Sequence, residues 1–333
     1  MTKGLIMSHD AVADAVPERW DLAHIAGELR SAREDWRAVH PRHGETGFPS
    51  KRVVKTILEG LSGALFPLRL GGGGVRPHNE HGYVIETLDA ALTQLAEQVR
   101  LELIYQQEQP GDAVDHAART IVGQFAAKLP AIRRILDTDV EAAYAGDPAA
   151  RSVDEILLCY PCVTALVCHR LAHELYTLGA PLVARMLAEI AHSETAIDIH
   201  PGAQIGHSFF IDHGSGVVIG ETAVIGDRVR IYQAVTLGAR SFPKDEDGAL
   251  SKGMPRHPIV EDDVVIYAGA TILGRVTVGA GAVIGGNVWL TEDVAPRSII
   301  HQACAERQRI TVASVPTGYI VAEPDPANSE PKV

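Results

Sequence analysis

The sequence predicts an α+β protein, in which an N-terminal all-α helical domain is followed by a left-handed parallel β-helix, a hexapeptide solenoid. Two observations predict this order. Up to about Ser193, apolar residues recur at three- and four-residue steps with charges between them, as in amphipathic helices. After Ser193 they recur at six-residue steps, which is typical of a solenoid with three short strands per turn. A chain of 333 residues is long enough for two such domains.

The helical domain is predicted to cover residues 1–193. Four amphipathic segments come first, and two further helices, DEILLCYPCVTALVCHRLAHELYTLG and PLVARMLAEIAHS, complete it. Pro161 is expected to begin a new helix or to bend the old one, because proline lacks an amide donor. The segments LGGGGVRPHNEHG and YAGDPAARS are rich in glycine and small polar residues and are predicted to be connections. We expect this domain to contribute to oligomerisation and to part of the substrate site.

The solenoid is predicted to cover residues 194–296. Its six-residue positions are aliphatic and are expected to point inward: Ile199, Ile205, Ile211, Ile219, Ile225, Ile231, Leu237, Val260, Ile266, Ile272, Val278, Ile284 and Leu290. A second set of small or aliphatic residues follows most of them after four residues: Ala203, Ala223, Val229, Val235, Val264, Ala270, Val276, Ala282, Val288 and Val294. Residues 297–333 are predicted to be a partly disordered tail, because VAEPDPANSEPKV contains few apolar residues and several prolines.

Two interruptions of the repeat are expected to hold the functional residues, because a solenoid forms loops only where its repeat is broken. One step of eight residues, from Ile211 to Ile219, contains Asp212 and His213. The longer segment GARSFPKDEDGALSKGMPRHPIV is predicted to be an excursion loop that ends at Arg256-His257.

Composition narrows the possible partners. A net charge of −12 argues against a general nucleic-acid binder. The sequence has no run of 18 apolar residues, and the apolar part of MTKGLIMSHD is too short for a signal peptide, so we expect a cytoplasmic protein with no membrane segment.

The flat faces of a solenoid are exposed in a single copy and need to be covered. This predicts a homotrimer at least, or a dimer of trimers.

Cysteine and histidine pairs in the last helices resemble fragments of metal sites. Cys159 and Cys162 have a CxxC spacing, but a second ligand pair is missing and Cys168 lies in the same apolar segment, so we expect inert thiols. His169 and His173 are four residues apart, yet the HRLAH sequence lacks the glutamate of HExxH. We expect these histidines to lie in an interface, and we expect no metal.

Several motifs resemble the serine O-acetyltransferase family. They are DIHPGAQIG, IDHGSGVVIGETAVIGDRVRIYQAVTLG and PRHPIV, together with DPAARS and YPCVTALVCHRLAHELY before the solenoid. The stretch GGNVWLT is similar to a long-chain branch of that family, and the resemblance covers about Asp147 to Leu290. It implies transfer of the acetyl group of acetyl-CoA to the hydroxyl of L-serine, which gives O-acetyl-L-serine and CoA in the first step of cysteine biosynthesis from serine.

The chemistry of this reaction requires a base. A serine hydroxyl is a poor nucleophile at neutral pH, and a general base accelerates its attack by about 10²–10⁴-fold. We expect His213 to be that base, because a histidine titrates near neutral pH. The resemblance supplies Asp198 as the partner that orients the ring. The adjacent Asp212 is the alternative, although neighbouring side chains on a strand point to opposite faces.

The acceptor is a zwitterion, so its site needs an anion and a cation. By resemblance, Asp147 and Asp212 bind the ammonium group. The planar fork of Arg256 suits the carboxylate, with His257 beside it. By resemblance, acetyl-CoA lies in a groove between adjacent copies of the solenoid and contacts the backbone at Gly238, Ala239, Ala268 and Gly286.

The remaining expectations concern an inhibitor, a protein partner and two alternative functions. L-Cysteine is a possible feedback inhibitor at the serine site. Binding to cysteine synthase is doubtful, because members that bind it end in isoleucine whereas this sequence ends Pro331-Lys332-Val333. An acetyltransferase for another hydroxyl acceptor, such as a sugar, would keep the base but would not need the arginine. A γ-type zinc carbonic anhydrase would need three converging histidines, for which His207, His213 and His257 are the candidates.

Overall fold

A computed structural model describes residues 20–40, 47–107, 111–241 and 253–302, with Gly248 and Leu250 between the last two ranges. Eight helices lie within these ranges: α1 Leu22–Val39, α2 Lys51–Leu65, α3 Pro67–Leu70, α4 Glu80–Gln107, α5 Asp112–Gly146, α6 Val153–Cys159, α7 Pro161–Thr177 and α8 Pro181–Thr195. Fourteen strands follow: β1 Asp198–Ile199, β2 Gln204–Ile205, β3 Phe210–Ile211, β4 Val218–Ile219, β5 Val224–Ile225, β6 Arg230–Ile231, β7 Thr236–Gly238, β8 Ile259–Val260, β9 Val265–Ile266, β10 Thr271–Leu273, β11 Thr277–Val278, β12 Val283–Ile284, β13 Trp289–Leu290 and β14 Ile299–Ile300.

The helices pack through the apolar faces that the sequence predicts. Helix α2 packs on α4, α4 on α5, and α7 on both α5 and α8. Pro161 begins α7, so the prediction that it starts a new helix is correct, and the axes of α6 and α7 meet at 75°.

No single helix among the described residues has the length and apolarity needed to span a membrane. Helices α6 and α7 meet those two criteria only when the bent pair is counted as one segment.

The strands form three parallel sheets, and each turn of the coil contributes one strand to each sheet, except that the last turn has only an isolated bridge, between Val278 and Val294, in the second sheet. The first sheet has the order β1-β4-β7-β10-β13, the second β11-β8-β5-β2 and the third β14-β12-β9-β6-β3. The result is the predicted left-handed β-helix. Three edges of this triangular prism matter below. The His213 corner contains the turns from the third sheet to the first, the Arg256 corner those from the first to the second, and the His207 corner those from the second to the third.

The interior of the solenoid confirms the six-residue prediction. All the predicted inward residues are buried except Ile205 and Leu290, which are partly buried, and the second set of small or aliphatic residues is buried throughout. Each strand is only two or three residues long, so the sheets depend on stacking of side chains from turn to turn.

The boundaries differ slightly from the predicted ones. Helix α8 continues to Thr195, and Ala196 ends it in a left-handed conformation with φ of 57°. The solenoid extends past residue 296, because β14 pairs with β12 and completes the third sheet. The predicted tail from residue 303 onward, including Cys304 and Val333, lies outside the described residues.

A buried ion pair joins the helical domain to the first turn of the solenoid. Arg170 of α7 donates to both carboxylate oxygens of Asp139 in α5, each at 3.1 Å. The same guanidinium donates to the carbonyl oxygens of Ile205 and Gly206, the latter at 2.6 Å, and Asp139 accepts the N–H of Phe209 at 2.9 Å. Burial raises the pKa of Asp139 to about 6, and the charge of Arg170 opposes this shift.

Breaking this pair is expected to destabilise the fold. Asp139→Ala leaves Arg170 buried without a counter-ion and is expected to lower the free energy of unfolding by about 3–5 kcal/mol. The matched control is Asp263→Asn, which removes the charge of a two-pronged but exposed pair with Arg228, keeps a residue that tolerates the left-handed backbone at this position, and is expected to change stability little. Urea unfolding followed by circular dichroism measures both. Equal midpoints for the two variants would contradict this account.

Candidate active site

The first interruption of the repeat forms a tight turn at the His213 corner. Strand β3 ends at Ile211, and His213 has a left-handed backbone with φ of 60°, followed by Gly214 with φ of 88°. The His213 side chain is 75% exposed, whereas the Asp212 side chain is only 12% exposed. The turn therefore presents the imidazole to solvent beside a largely buried carboxylate.

One argument from the sequence is wrong at this turn. Asp212 and His213 were expected to point to opposite faces, but their side chains approach to 3.9 Å between Oδ1 and Nε2. The physical reason is the left-handed conformation of His213, which ends the extended strand and removes the alternation of side chains. Asp212 is thus a neighbour of the imidazole as well as a candidate ligand for an ammonium group.

Asp147 brings a second carboxylate to this corner from the helical domain. It caps the end of α5, where one carboxylate oxygen accepts the N–H of Ala149 at 2.8 Å and the other accepts the hydroxyl of Tyr160. The Tyr160 hydrogen bond, the Ala149 amide and the charges of Arg230 and His213 hold the pKa of Asp147 below its usual value. The same contact raises the pKa of Tyr160 to about 12, so its hydroxyl stays a donor.

Arg230 completes the cluster and was missed in the sequence. Its Nη2 donates to Oδ2 of Asp212 at 2.6 Å, and its guanidinium lies over the rings of Phe210 and Tyr232 at 5.0 Å and 4.8 Å. Arg230 is the register partner of Phe210 on the next turn of the third sheet. The six-residue register could have identified Arg230, since it places this outward charge directly beside the turn that carries His213.

The second group of predicted residues lies at the Arg256 corner. Arg256 donates to Glu221 at 2.6 Å, and Glu221 also accepts the hydroxyl of Tyr176 at 3.0 Å. Although burial favours the neutral acid, these two hydrogen bonds hold the pKa of Glu221 below its usual value. Nδ1 of His257 accepts the N–H of Thr222 at 3.0 Å. Burial and the charge of Arg256 lower the pKa of His257, so its ring is neutral at pH 7.

Within one chain, the residues around His213 and the residues around Arg256 lie at different corners of the solenoid. His213 follows a strand of the third sheet, whereas Arg256 precedes a strand of the second. The predicted cofactor contacts divide in the same way, with Gly238 and Ala239 at the Arg256 corner and Ala268 and Gly286 at the His213 corner.

Asp198 lies near the His213 corner, at the start of the first sheet. It begins β1, which pairs with β4, the strand that follows the His213 turn. No hydrogen bond joins its carboxylate to His213 among the described contacts, so its role in orienting the ring stays a prediction.

Cys162, Cys168 and the HRLAH pair are packed within the helical domain and against the solenoid, whereas Cys159 is exposed. Burial raises the pKa of the thiols of Cys162 and Cys168 to about 12 each. His169 is completely buried, which puts its pKa well below the usual value, and His173 donates from Nδ1 to the carbonyl of Pro201 at 2.8 Å. Within the described part of the chain, no group of three His, Cys, Asp or Glu side chains is arranged to hold a metal ion. His207, His213 and His257 lie at three different corners.

Comparison with known proteins gives a family match and several relatives. Residues 257–292 match the family described as bacterial transferase hexapeptide, six repeats. The chain is 55% identical over 291 residues to a serine acetyltransferase, plasmid, of Synechococcus elongatus, and this match covers 85% of the chain and 91% of the relative.

Two solved structures from Entamoeba histolytica share the fold. Serine acetyltransferase isoform 3 in complex with cysteine has a TM-score of 0.66 and 36% identity, over 81% of this chain and 87% of that one. Serine acetyltransferase 1 in complex with L-cysteine has a TM-score of 0.64 and 40% identity, over 74% of this chain and 86% of that one.

The contact between Tyr160 and Asp147 can be tested by its dependence on pH. Tyr160→Phe removes the donor that contributes most to lowering the pKa of Asp147, so this pKa is expected to rise. Because a lowered carboxyl pKa stabilises the fold above the pKa of the unfolded chain, the variant should be less stable at neutral pH. The difference from the unsubstituted protein should shrink as the pH falls through the range in which Asp147 binds a proton.

Urea midpoints between pH 3 and pH 7 would show this convergence. Tyr144→Phe is the control, because Tyr144 is an exposed tyrosine on α5. A stability difference for Tyr160→Phe that stays constant over this range would contradict the assigned contact.

Proposed function

The chain belongs to the serine acetyltransferase family and catalyses the O-acetylation of serine, and we propose that His213 is the general base of this reaction. The observation that carries the assignment of the base is the convergence of Asp147 and Asp212 beside an exposed imidazole at a break in the solenoid. This arrangement offers a charged amino group a place next to a side chain that can accept a proton.

His213 moves one proton in each half of the proposed reaction. Its imidazole takes the proton from the serine hydroxyl while the oxygen attacks the thioester carbon of acetyl-CoA. A new C–O bond forms, and the C–S bond then breaks to give O-acetyl-L-serine. The protonated imidazole returns the proton to the sulfur of CoA. Asp198 remains the proposed partner that orients the ring.

Acceptor recognition divides between ammonium and carboxylate. We assign the ammonium group to Asp147 and Asp212, which offer carboxylate oxygens at the His213 corner. We assign the carboxylate to Arg256 and His257, and Glu221 holds Arg256 in place through its ion pair. An arginine fork suits a planar carboxylate.

Two copies of the chain are needed for one complete site. His213 and Arg256 lie at different corners of one prism, so the Arg256 corner of one copy must face the His213 corner of the next. A homotrimer satisfies this requirement three times by rotation. The same groove would hold acetyl-CoA between Gly238 and Ala239 of one copy and Ala268 and Gly286 of the other.

L-Cysteine is proposed as an inhibitor at the serine site. It has the same ammonium and carboxylate groups as serine, with a thiol in place of the hydroxyl. Two relatives from Entamoeba histolytica have been solved with cysteine bound, which supports this proposal. Weak or no binding to cysteine synthase stays a prediction, since Val333 lies outside the described residues.

Loss of the base is expected to abolish most of the activity. His213→Ala should lower kcat for serine-dependent release of CoA thiol by at least about 10²-fold. His207→Ala is the matched control, because His207 is also partly exposed and paired with an aspartate, but at the His207 corner. Full activity of His213→Ala would reject this residue as the base, and a protein without serine-dependent release would reject the reaction.

The shared site can be tested by mixing two variants and assaying them at a serine concentration below the KM of the unsubstituted protein, where both variants have little activity. Arg256→Ala is expected to raise the KM for L-serine by about tenfold to a hundredfold, because a charged hydrogen bond is lost. If Arg256→Ala has the same KM for L-serine as the unsubstituted protein, this result would favour an acceptor without a carboxylate. When His213→Ala and Arg256→Ala chains are unfolded together and reassembled, about a quarter of the sites should combine both native residues. Recovery of that fraction of wild-type activity supports the two-copy site, whereas no recovery would contradict it.

A further inference from the structure

Arg230 provides a positive charge within the ammonium site that the proposed reaction leaves unused. Its side chain is 26% exposed and pairs with an Asp212 side chain that is 12% exposed. The guanidinium lies over the rings of Phe210 and Tyr232, so two cation–π contacts as well as the carboxylate position it. Such a partly buried pair is screened by salt less than a surface pair.

Packing alone does not account for this arginine. Within the described part of the chain, its Nε is buried and has no hydrogen-bond partner, which is unfavourable for a charged donor. An apolar side chain could fill the same space without that cost. The charge itself is therefore the feature that needs an explanation.

The charges of the site suggest what Arg230 does. Asp147 and Asp212 present two negative charges, and the ammonium group of an amino acid supplies one positive charge. Arg230 contributes to keeping Asp147 ionised and pairs directly with Asp212. With Arg230 present, the two carboxylates and the guanidinium together carry one negative charge, which equals the charge of one ammonium group.

We propose that Arg230 is a positioning and specificity-determining residue that orients Asp212 and restricts the site to zwitterionic amino-acid acceptors. This inference rests on the proposed function. Without Arg230 the site would carry two negative charges and would favour amines that lack a carboxylate. Arg230 weakens the attraction of the site for any ammonium group, but it also offsets the negative charge that would repel the carboxylate of a zwitterion bound to Arg256.

The experiment compares L-serine with its amide, which has the same size and hydroxyl but carries a net positive charge. The measured quantity is the ratio of the inhibition constant of L-serinamide, as a competitor of serine acetylation, to the KM of L-serine. In Arg230→Met this ratio is expected to fall by about tenfold, because the site becomes more negative by one charge, which repels the carboxylate of L-serine but not the neutral amide of L-serinamide. Arg230→Lys retains the charge and should leave the ratio near that of the unsubstituted protein.

The control is Arg228→Met, which removes an arginine two residues away that pairs with Asp262 and Asp263 at the His207 corner. It should not change the ratio. If Arg230→Met does not fold, Arg230→Gln makes the same comparison with a neutral polar side chain. A merely structural role would raise both constants together and leave the ratio constant, and that result in an active variant would overturn the inference. Absence of serine-dependent thiol release in the unsubstituted protein would instead overturn the proposed function.

Discussion

The buried ion pair between Arg170 and Asp139 is the interaction on which the arrangement of the site depends. A buried pair of this kind adds little stability over apolar packing, but each partner is costly to bury without the other. Because Arg170 also donates to two backbone carbonyls of the solenoid, this network holds the end of α5 against the first turn. Asp147 caps that helix, and its position beside the His213 turn follows from this docking.

The solenoid imposes the second constraint. Its interior is filled by aliphatic side chains at every inward position, so polar chemistry is confined to the outward faces and the corners. The three corners of one prism face different directions, which separates His213 from Arg256 however the loops are built. A bipolar acceptor that needs both residues therefore links the chemistry of this fold to its assembly.

The sequence predicts the fold well because a six-residue period fits neither an α-helix nor a strand with alternating faces. It also identifies the His213 turn and the Arg256 corner, since both interrupt the period. It does not reveal contacts between turns, such as the pairing of Arg230 with Asp212, because these depend on which residues stack in register. The approach of Asp212 to His213 was missed for a local reason, a left-handed backbone at a residue other than glycine. Whether Asp198 orients His213 is still a prediction.

The packing of His257 on Gly220 restricts how this protein can diverge. A β-carbon at position 220 would overlap the imidazole ring, so the ring occupies the volume that any other residue's side chain would fill. The two positions are 37 residues apart in the sequence but share one space. In a lineage that keeps the histidine, position 220 must remain glycine, and a change at one position is expected to be accompanied by a change at the other. An evolutionary record of this fold should therefore show these two positions covarying.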